Sequence, residues 1–333
     1  MIDRIINFLR EKPRKIVLTS HRNPDGDAIG SALGLAHYLH SKSYSVDIIF
    51  PNPPSIPLQG SIGYSSDFVH VFSSDPIKSE GVFQKADVLF SLDYNLASRV
   101  GADMESMISG FLGKKIMIDH HESPDTTFDL VFSMTSKSST CEMVYDLIER
   151  DGGNIDVACA DNLLMGLITD TGSFRFPITS DRTMHVAGKL IEAGAIPHVI
   201  HDRLFDNNPK SRLMIWGRAL SNLIITDDGF ASIVFLKQSD LSELKYQPGD
   251  TEGLVNQGLG VTGVLISIFI REDADSKMKL SFRSKGDVDV NKYARKNWQG
   301  GGHKNASGGL SNMNITETIE KFKSTYKQAL LDD

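Results

Sequence analysis

The stretch His21-Arg22-Asn23-Pro24-Asp25-Gly26-Asp27-Ala28 decides how this chain folds. The β-branched run Lys15 to Ser20 leads into it and reads as a buried strand. A helical pattern, Ala28 to Leu39, leads out. One imidazole and two carboxylates therefore sit at a strand-to-helix turn, and in open α/β sheets ligands bind at the carboxyl ends of strands. Turn formation and helix capping would account for Asn-Pro, Asp-Gly and Asp27 taken alone. They do not account for the recurrence. The run Ala86 to Leu92 ends at Asp93, Lys115 to Ile118 ends at Asp119-His120-His121, and Asn162 to Thr169 delivers Asp170 before Thr171-Gly172. Caps explain one such placement, not four.

His-x-x-Pro-Asp-Gly-Asp-Ala, a later lone Asp, Asp-His-His and a fourth Asp resemble the four motifs of the DHH phosphoesterases. The run Gly300-Gly301-Gly302-His303-Lys304-Asn305-Ala306-Ser307-Gly308 resembles the signature of the accompanying DHHA1 domain. The similarity is nearest to the nanoRNase/pAp phosphatase type, also labelled exopolyphosphatase-related. It implies an α/β fold: a parallel-sheet DHH domain with flanking helices, a smaller mixed-sheet α/β DHHA1 domain, and an active site in the cleft between them.

Composition bounds the alternatives. At 333 residues the chain has room for two domains. A net charge of −7 does not suit a coat for long nucleic acid, which needs a broad basic face, and does suit an acidic cage offset by cations. Cys141 and Cys159 read as buried small apolar residues. Residues 1–20 show no clean apolar core of a signal peptide, and Val261 to Ile270 is far short of the ~20 residues of a membrane span. The expected location is cytoplasmic.

In chain order, residues 2–10 form an amphipathic helix stopped by Pro13, and Ser45 to Phe50 a strand. Pro51, Pro53, Pro54 and Pro57 enforce an extended loop. The stretch 60–80 carries no assignable pattern. A short helix falls near 103–110 and a polar loop over 122–138. Ser139 and Glu142 stand at capping-box spacing before a helix that ends at Gly152-Gly153. Asp156 opens the next helix, and helices follow near 181–193, 197–205 and 209–222. Thereafter the pattern turns to β: a hairpin about Asp227-Asp228-Gly229, a strand Val261 to Ile270 partnered by Met278 to Arg283, a helix 289–297, the glycine run, and a helix 316–330. The expected division is 1–195 for the DHH domain, 196–220 for a helical linker and 221–333 for the DHHA1 domain.

The resemblance implies a role for each site residue. His21, Asp25 and Asp93 hold one divalent cation. Asp27, Asp93, His120 and Asp170 hold a second, with Asp93 bridging. Asp119 fixes a histidine tautomer, and His121 faces the substrate phosphate. A mixed imidazole–carboxylate cage suits Mn²⁺, with Mg²⁺ or Co²⁺ as alternatives, better than Ca²⁺. Two ions about 3.5–4 Å apart clamp an in-line displacement at phosphorus, with a metal-bound hydroxide attacking. In the second domain Arg283, Gly300, Gly301, Gly302, His303 and Ser307 form a phosphate or base clamp, and Arg175, in the turn after Asp170, is a further phosphate contact. Arg295, Lys296 and Lys304 either extend the clamp or form a solvated face. The family pattern has an aromatic-Gly pair before the glycines; here Trp298-Gln299 stands, and Trp298 either stacks a base or anchors a core.

The implied activity is hydrolysis of short oligoribonucleotides and 3′-phosphoadenosine 5′-phosphate (pAp). The rivals are hydrolysis of linear or cyclic dinucleotides such as c-di-AMP, pyrophosphate or polyphosphate hydrolysis, and non-catalytic nucleotide sensing, which the intact ligand set opposes. Expected partners are short single-stranded RNA or nucleotides and a second copy in a homodimer, with neither long duplexes nor membranes.

Overall fold

The computed structural model describes residues 1–11, 15–273, 275 and 277–331. The chain divides after Asn207 into two compact units. The first runs α1 (Ile2–Arg10), β1 (Ile16–Thr19), α2 (Gly26–Ser41), β2 (Val46–Phe50), α3 (Ile56–Gln59), β3 (Val69–Val71), α4 (Pro76–Phe83), β4 (Val88–Leu92), α5 (Ala102–Ser109), β5 (Lys114–Asp119), β6 (Leu130–Ser133), α6 (Thr140–Arg150), α7 (Val157–Asp170), α8 (Asp181–Glu192) and α9 (Pro197–His201). Pro13, expected to stop the first helix, lies outside the described residues.

The strands form one parallel sheet in the order β3-β2-β1-β4-β5-β6. Both faces are covered, which is why the central strands read as continuous apolar runs. Ile16, Leu18, Val88, Phe90, Ile116 and Ile118 pack into one core with α2, α6 and α7. Val17, Ile49, Leu89 and Met117 face the other way, onto Phe83, Met104 and Ile108 of α4 and α5. The strand order reverses beside β1, the switch point at which such sheets bind ligands. The adjacent carboxyl ends of β1, β4 and β5 are thereby brought together.

Close helix packing tightens this end of the sheet. Gly26, Gly30 and Gly34 recur one turn apart on α2. A Cβ on Gly30 would stand 2.4 Å from the Asn162 carbonyl of α7, and one on Gly34 2.6 Å from Leu163. No side chain larger than hydrogen fits the crossing.

The second unit runs α10 (Lys210–Ser221), β7 (Ile224–Ile225), β8 (Ala231–Leu236), α11 (Gln238–Glu243), α12 (Leu254–Leu259), β9 (Ile266–Glu272), β10 (Met278–Ser284), α13 (Val290–Asn297), β11 (Gly301–His303), β12 (Ala306–Ser311), α14 (Ile315–Thr325) and α15 (Lys327–Leu331). Its mixed sheet, β11-β12-β10-β9-β8-β7, is antiparallel except between β8 and β9. Phe282, Tyr293, Trp298 and Phe322 fill the core on one face, and Val234, Leu236 and Phe269 meet Ile215, Leu254 and Val255 on the other.

Several expectations need correction. The strand expected over 261–270 begins only at Ile266, because residues 261–265 form a turn in which Gly263 adopts φ +85°. The unassigned stretch 60–80 contains β3 and the start of α4, and the polar loop 122–138 contains β6. These strands are three and four residues long, too short for a periodic signal. The stretch 196–220 is helical, but α9 and a π turn (Asp202–Asp206) belong to the first unit and α10 to the second. Trp298 is 1% exposed and packs against Phe282, so it is a core anchor and not a base-stacking platform.

Candidate metal centre

Three strand ends and one helix end supply the candidate ligands, each through a distinct local device. After β1, Asp25 caps α2, accepting from the amides of Asp27 and Ala28 at 3.1 Å. Asp27 lies in the first turn of that helix and is fully buried. After β4, Asp93 takes φ +63°, a conformation rare outside glycine and tolerated by Asp and Asn, which turns the chain sharply at the site. After β5 come His120 and His121. Asp170 ends α7.

The donor atoms converge. Ligand atoms of His21, Asp25 and Asp93 lie within 4.8 Å of one another, as do those of Asp27, His120 and Asp170. His21 Nε2 is 3.3 Å from Asp93 Oδ2, while His120 Nε2 is 3.3 Å from Asp170 Oδ2 and 3.6 Å from Asp93 Oδ1. Asp93 therefore presents one oxygen to each group. Asp93, His120 and His121 make a third grouping within the same limit.

The histidine tautomers fit metal ligation. His21 Nδ1 donates to the Arg22 carbonyl at 2.9 Å, and His120 Nδ1 to the Lys137 carbonyl at 3.3 Å. A carbonyl only accepts, so in each neutral ring Nε2 carries the lone pair that faces the carboxylates. His121 differs. Its Nδ1 donates to Asp119 Oδ1 at 2.7 Å, and Asp119 Oδ2 accepts the His121 amide. Asp119, fully buried, thus orients His121 rather than His21 or His120.

The electrostatics fit cations as well. Burial, with the charge of Asp93 next, pushes Asp27 up to about 7. Burial and repulsion from Asp27, Asp25 and Asp93 hold Asp170 well above the carboxylate range. Burial alone would lower His21, but the carboxylates of Asp25 and Asp93 outweigh it and lift the ring to about 10. Burial would likewise raise Asp93, yet the bond from His21 and the charges of His21, His120 and His121 pull it below the usual carboxylate range. Such crowded acids are relieved by positive charge placed among them, and the mixed nitrogen–oxygen donor set is one that borderline divalent ions take.

Sequence reasoning missed what holds Asp27. The first turn of α6 points its backbone at that carboxylate: the Thr140 amide donates at 2.6 Å and the Cys141 amide at 2.9 Å, while Thr140 Oγ1 donates to Asp93 Oδ1 at 3.1 Å. The Ser139 cap was the only signal of it. Gly166 completes the crossing, since a Cβ there would stand 2.2 Å from Cys141 Sγ and 2.8 Å from Asp27 Oδ1.

In the second unit the glycine run is a β-hairpin rather than an open loop. Gly301, Gly302 and His303 pair with Gly308, Ser307 and Ala306. A Cβ on Gly300 would stand 2.0 Å from the Gly308 carbonyl, and one on Gly302 2.5 Å from that of Ala306, so both glycines are required by the hairpin itself. The Gly302 amide donates to Asn291 Oδ1, and the buried Ser307 hydroxyl to the His303 carbonyl. Arg283 pairs with Ala306, which pairs with His303, so Arg283 and His303 occupy one row with a small residue between them. Arg283 Nη1 also donates to the Phe282 carbonyl. Lys304 pairs with Asp287, and Arg295 donates to Asn291. Arg175, exposed in the first unit, donates from Nε to the Gly172 carbonyl.

Comparisons with known proteins agree with this architecture. Residues 15–167 match the DHH family N-terminal domain, and residues 231–332 match the DHHA1 domain. The chain is 30% identical over 296 residues to the bifunctional oligoribonuclease and PAP phosphatase NrnA of Bacillus subtilis, covering 88% of each chain. It is 29% identical over 328 residues to the protein of that name from Thermus thermophilus, covering 98% of this chain and 93% of the other. The crystal structure of an exopolyphosphatase-related protein from Bacteroides fragilis superposes with a TM-score of 0.94 at 33% identity, over 99% of this chain and 97% of that one. The chain belongs to the DHH family, with an N-terminal DHH domain followed by a DHHA1 domain.

Proposed function

We propose that this chain is a divalent-cation-dependent phosphoesterase acting on short oligoribonucleotides and pAp. The observation that carries the reading is the pair of three-residue donor groups, His21–Asp25–Asp93 and Asp27–His120–Asp170, with Asp93 facing both. Each group would hold one cation, Mn²⁺ by the chemistry of the donors. When bound, such a pair supplies charge stabilisation for a phosphoryl group and activation of water.

The chain's own residues do the rest. Asp93 holds both groups in register from its strained turn. Asp119 accepts from His121 Nδ1, so the ring meets a substrate phosphate through Nε2, and in its doubly protonated form, with Asp119 balancing the charge, it serves there as hydrogen-bond or proton donor. No Ser or Cys is needed as nucleophile, and Cys141, fully buried and pushed well above the thiol range by burial and by Asp27, is unsuited to be one. Arg283 and His303, on one row of the second sheet, would contact the substrate. The shared row supports this for Arg283 and His303, while the close backbone approaches at Gly300 and Gly302 and the Ser307 bond to the His303 carbonyl shape the hairpin.

The test is a substrate panel: Mn²⁺-loaded protein against pAp, RNA dimers to pentamers, long single-stranded RNA, c-di-AMP, pyrophosphate and polyphosphate. Turnover of pAp and the short RNAs, falling as RNA lengthens, is expected. Preferred hydrolysis of pyrophosphate or c-di-AMP would replace the substrate assignment.

A further inference from the structure

Glu142 is 1% exposed, and its spacing from Ser139 suggests a capping box. Only half of that box forms: Ser139 Oγ accepts the Glu142 amide, but the Glu142 carboxylate turns elsewhere. Its Oε2 accepts the Ser138 amide at 3.3 Å, the Ser138 hydroxyl at 2.5 Å and Thr183 Oγ1 from α8 at 2.9 Å. Its Oε1 accepts Lys137 Nζ at 3.0 Å. Lys137 Nζ is shared with Asp146, which Arg182 in turn binds, so the buried charge is compensated.

The position of these bonds matters. The Ser138 amide and the Lys137 carbonyl belong to one planar peptide unit, so a group that fixes the first aims the second. That carbonyl is the acceptor for His120 Nδ1. Thr140 and Cys141, two and three residues beyond Ser138, hold Asp27. Glu142 thus braces the supports of two donors in the Asp27–His120–Asp170 group while touching none of its donor atoms.

We propose that Glu142 is a positioning residue for the second cation: it fixes the Lys137–Ser138 peptide plane so that His120 presents Nε2 to the carboxylates. The inference rests on the cage holding cations, as proposed above. The test is calorimetric titration of the full chain with MnCl₂, comparing wild type with Glu142→Gln and Lys137→Met, alongside thermal unfolding of the metal-free proteins. Glu142→Gln cannot accept from both Lys137 and Ser138, and affinity for one of the two ions should fall about 10–100-fold, the range for supporting partners of ligands, with the other ion's affinity unchanged. Lys137→Met keeps the peptide plane but loses one tether, and should show a smaller loss at the same ion. Both variants binding both ions like wild type would overturn the proposal, whatever their melting temperatures, since a purely structural brace moves only the latter. If Glu142→Gln does not fold, Lys137→Met decides alone: a loss confined to one ion supports the role and wild-type binding refutes it. A wild-type chain that takes up no cation would instead refute the metal reading itself.

Discussion

Gly30→Ala separates the site's geometry from the fold's stability. The added methyl would lie 2.4 Å from the Asn162 carbonyl oxygen, 3.0 Å from Cys141 Sγ and 3.2 Å from the Gly166 amide nitrogen. Ordinary contact begins near 3.4 Å, so α2 and α7 must part by about 1 Å. Overpacking costs ~1–3 kcal/mol, the upper end applying here because the nearest atom is backbone, and alanine's better helix propensity returns ~1 kcal/mol, so the net loss is about 2 kcal/mol. For a chain of this size that lowers Tm by a few degrees at most. The cage fares worse. Asp27 rides on α2 and Asp170 ends α7, so the displacement falls between two donors of one group. A misplacement of ~1 Å costs on the order of 10²-fold in rate. The assay pairs thermal unfolding with kcat on pAp at saturating Mn²⁺. A nearly native melting curve with kcat reduced about 10²-fold is expected. A kcat within a few-fold of wild type would refute the claim that this helix crossing sets the donor geometry.

Three further outcomes follow from the site. Asp93→Asn should abolish turnover on every substrate yet leave the fold intact, because asparagine tolerates the φ of +63°; retained kcat with metal bound would dismiss Asp93 as the shared ligand. His121→Ala should keep both ions by metal analysis and lose ~10²–10⁴-fold in kcat, the range for a positioned proton donor, whereas loss of an ion would make His121 a ligand. In chelator-treated protein, Asp27 titrates near 7 rather than at 3.8, so the folded state binds a proton that the unfolded state has lost. Its contribution is present below 3.8 and lost as pH rises through about 7, so metal-free Tm should fall across that window and Mn²⁺ should abolish the fall. A flat metal-free profile would contradict the crowding of Asp27 with Asp93.

The convergence of these side chains was legible in the sequence because they stand at the ends of apolar runs and carry chemistry that packing does not need. His21, Asp93 and Asp119 to His121 end strands that neighbour one another, and Asp170 ends a helix that crosses α2. What holds the ligands was not legible. The grip on Asp27 is made by backbone amides, which carry no residue signature, and only a helix cap marked it. Glycines every fourth residue on α2 were visible, but their partners at Asn162 and Leu163 are more than a hundred residues away in sequence. The run at 300–302 looked like a phosphate cradle; it is glycine-rich largely because a hairpin backbone passes within van der Waals contact. Trp298 broke the expected motif because that position serves the core.

The central claim is that one aspartate joins two cation sites. Crystals of the chain grown with MnCl₂, measured at the manganese absorption edge, test it directly. Two anomalous peaks are expected, one among His21, Asp25 and Asp93 and the other among Asp27, His120 and Asp170, with Asp93 between them. A single peak, or one held by Asp93, His120 and His121 at the expense of the Asp119–His121 bond, would contradict it.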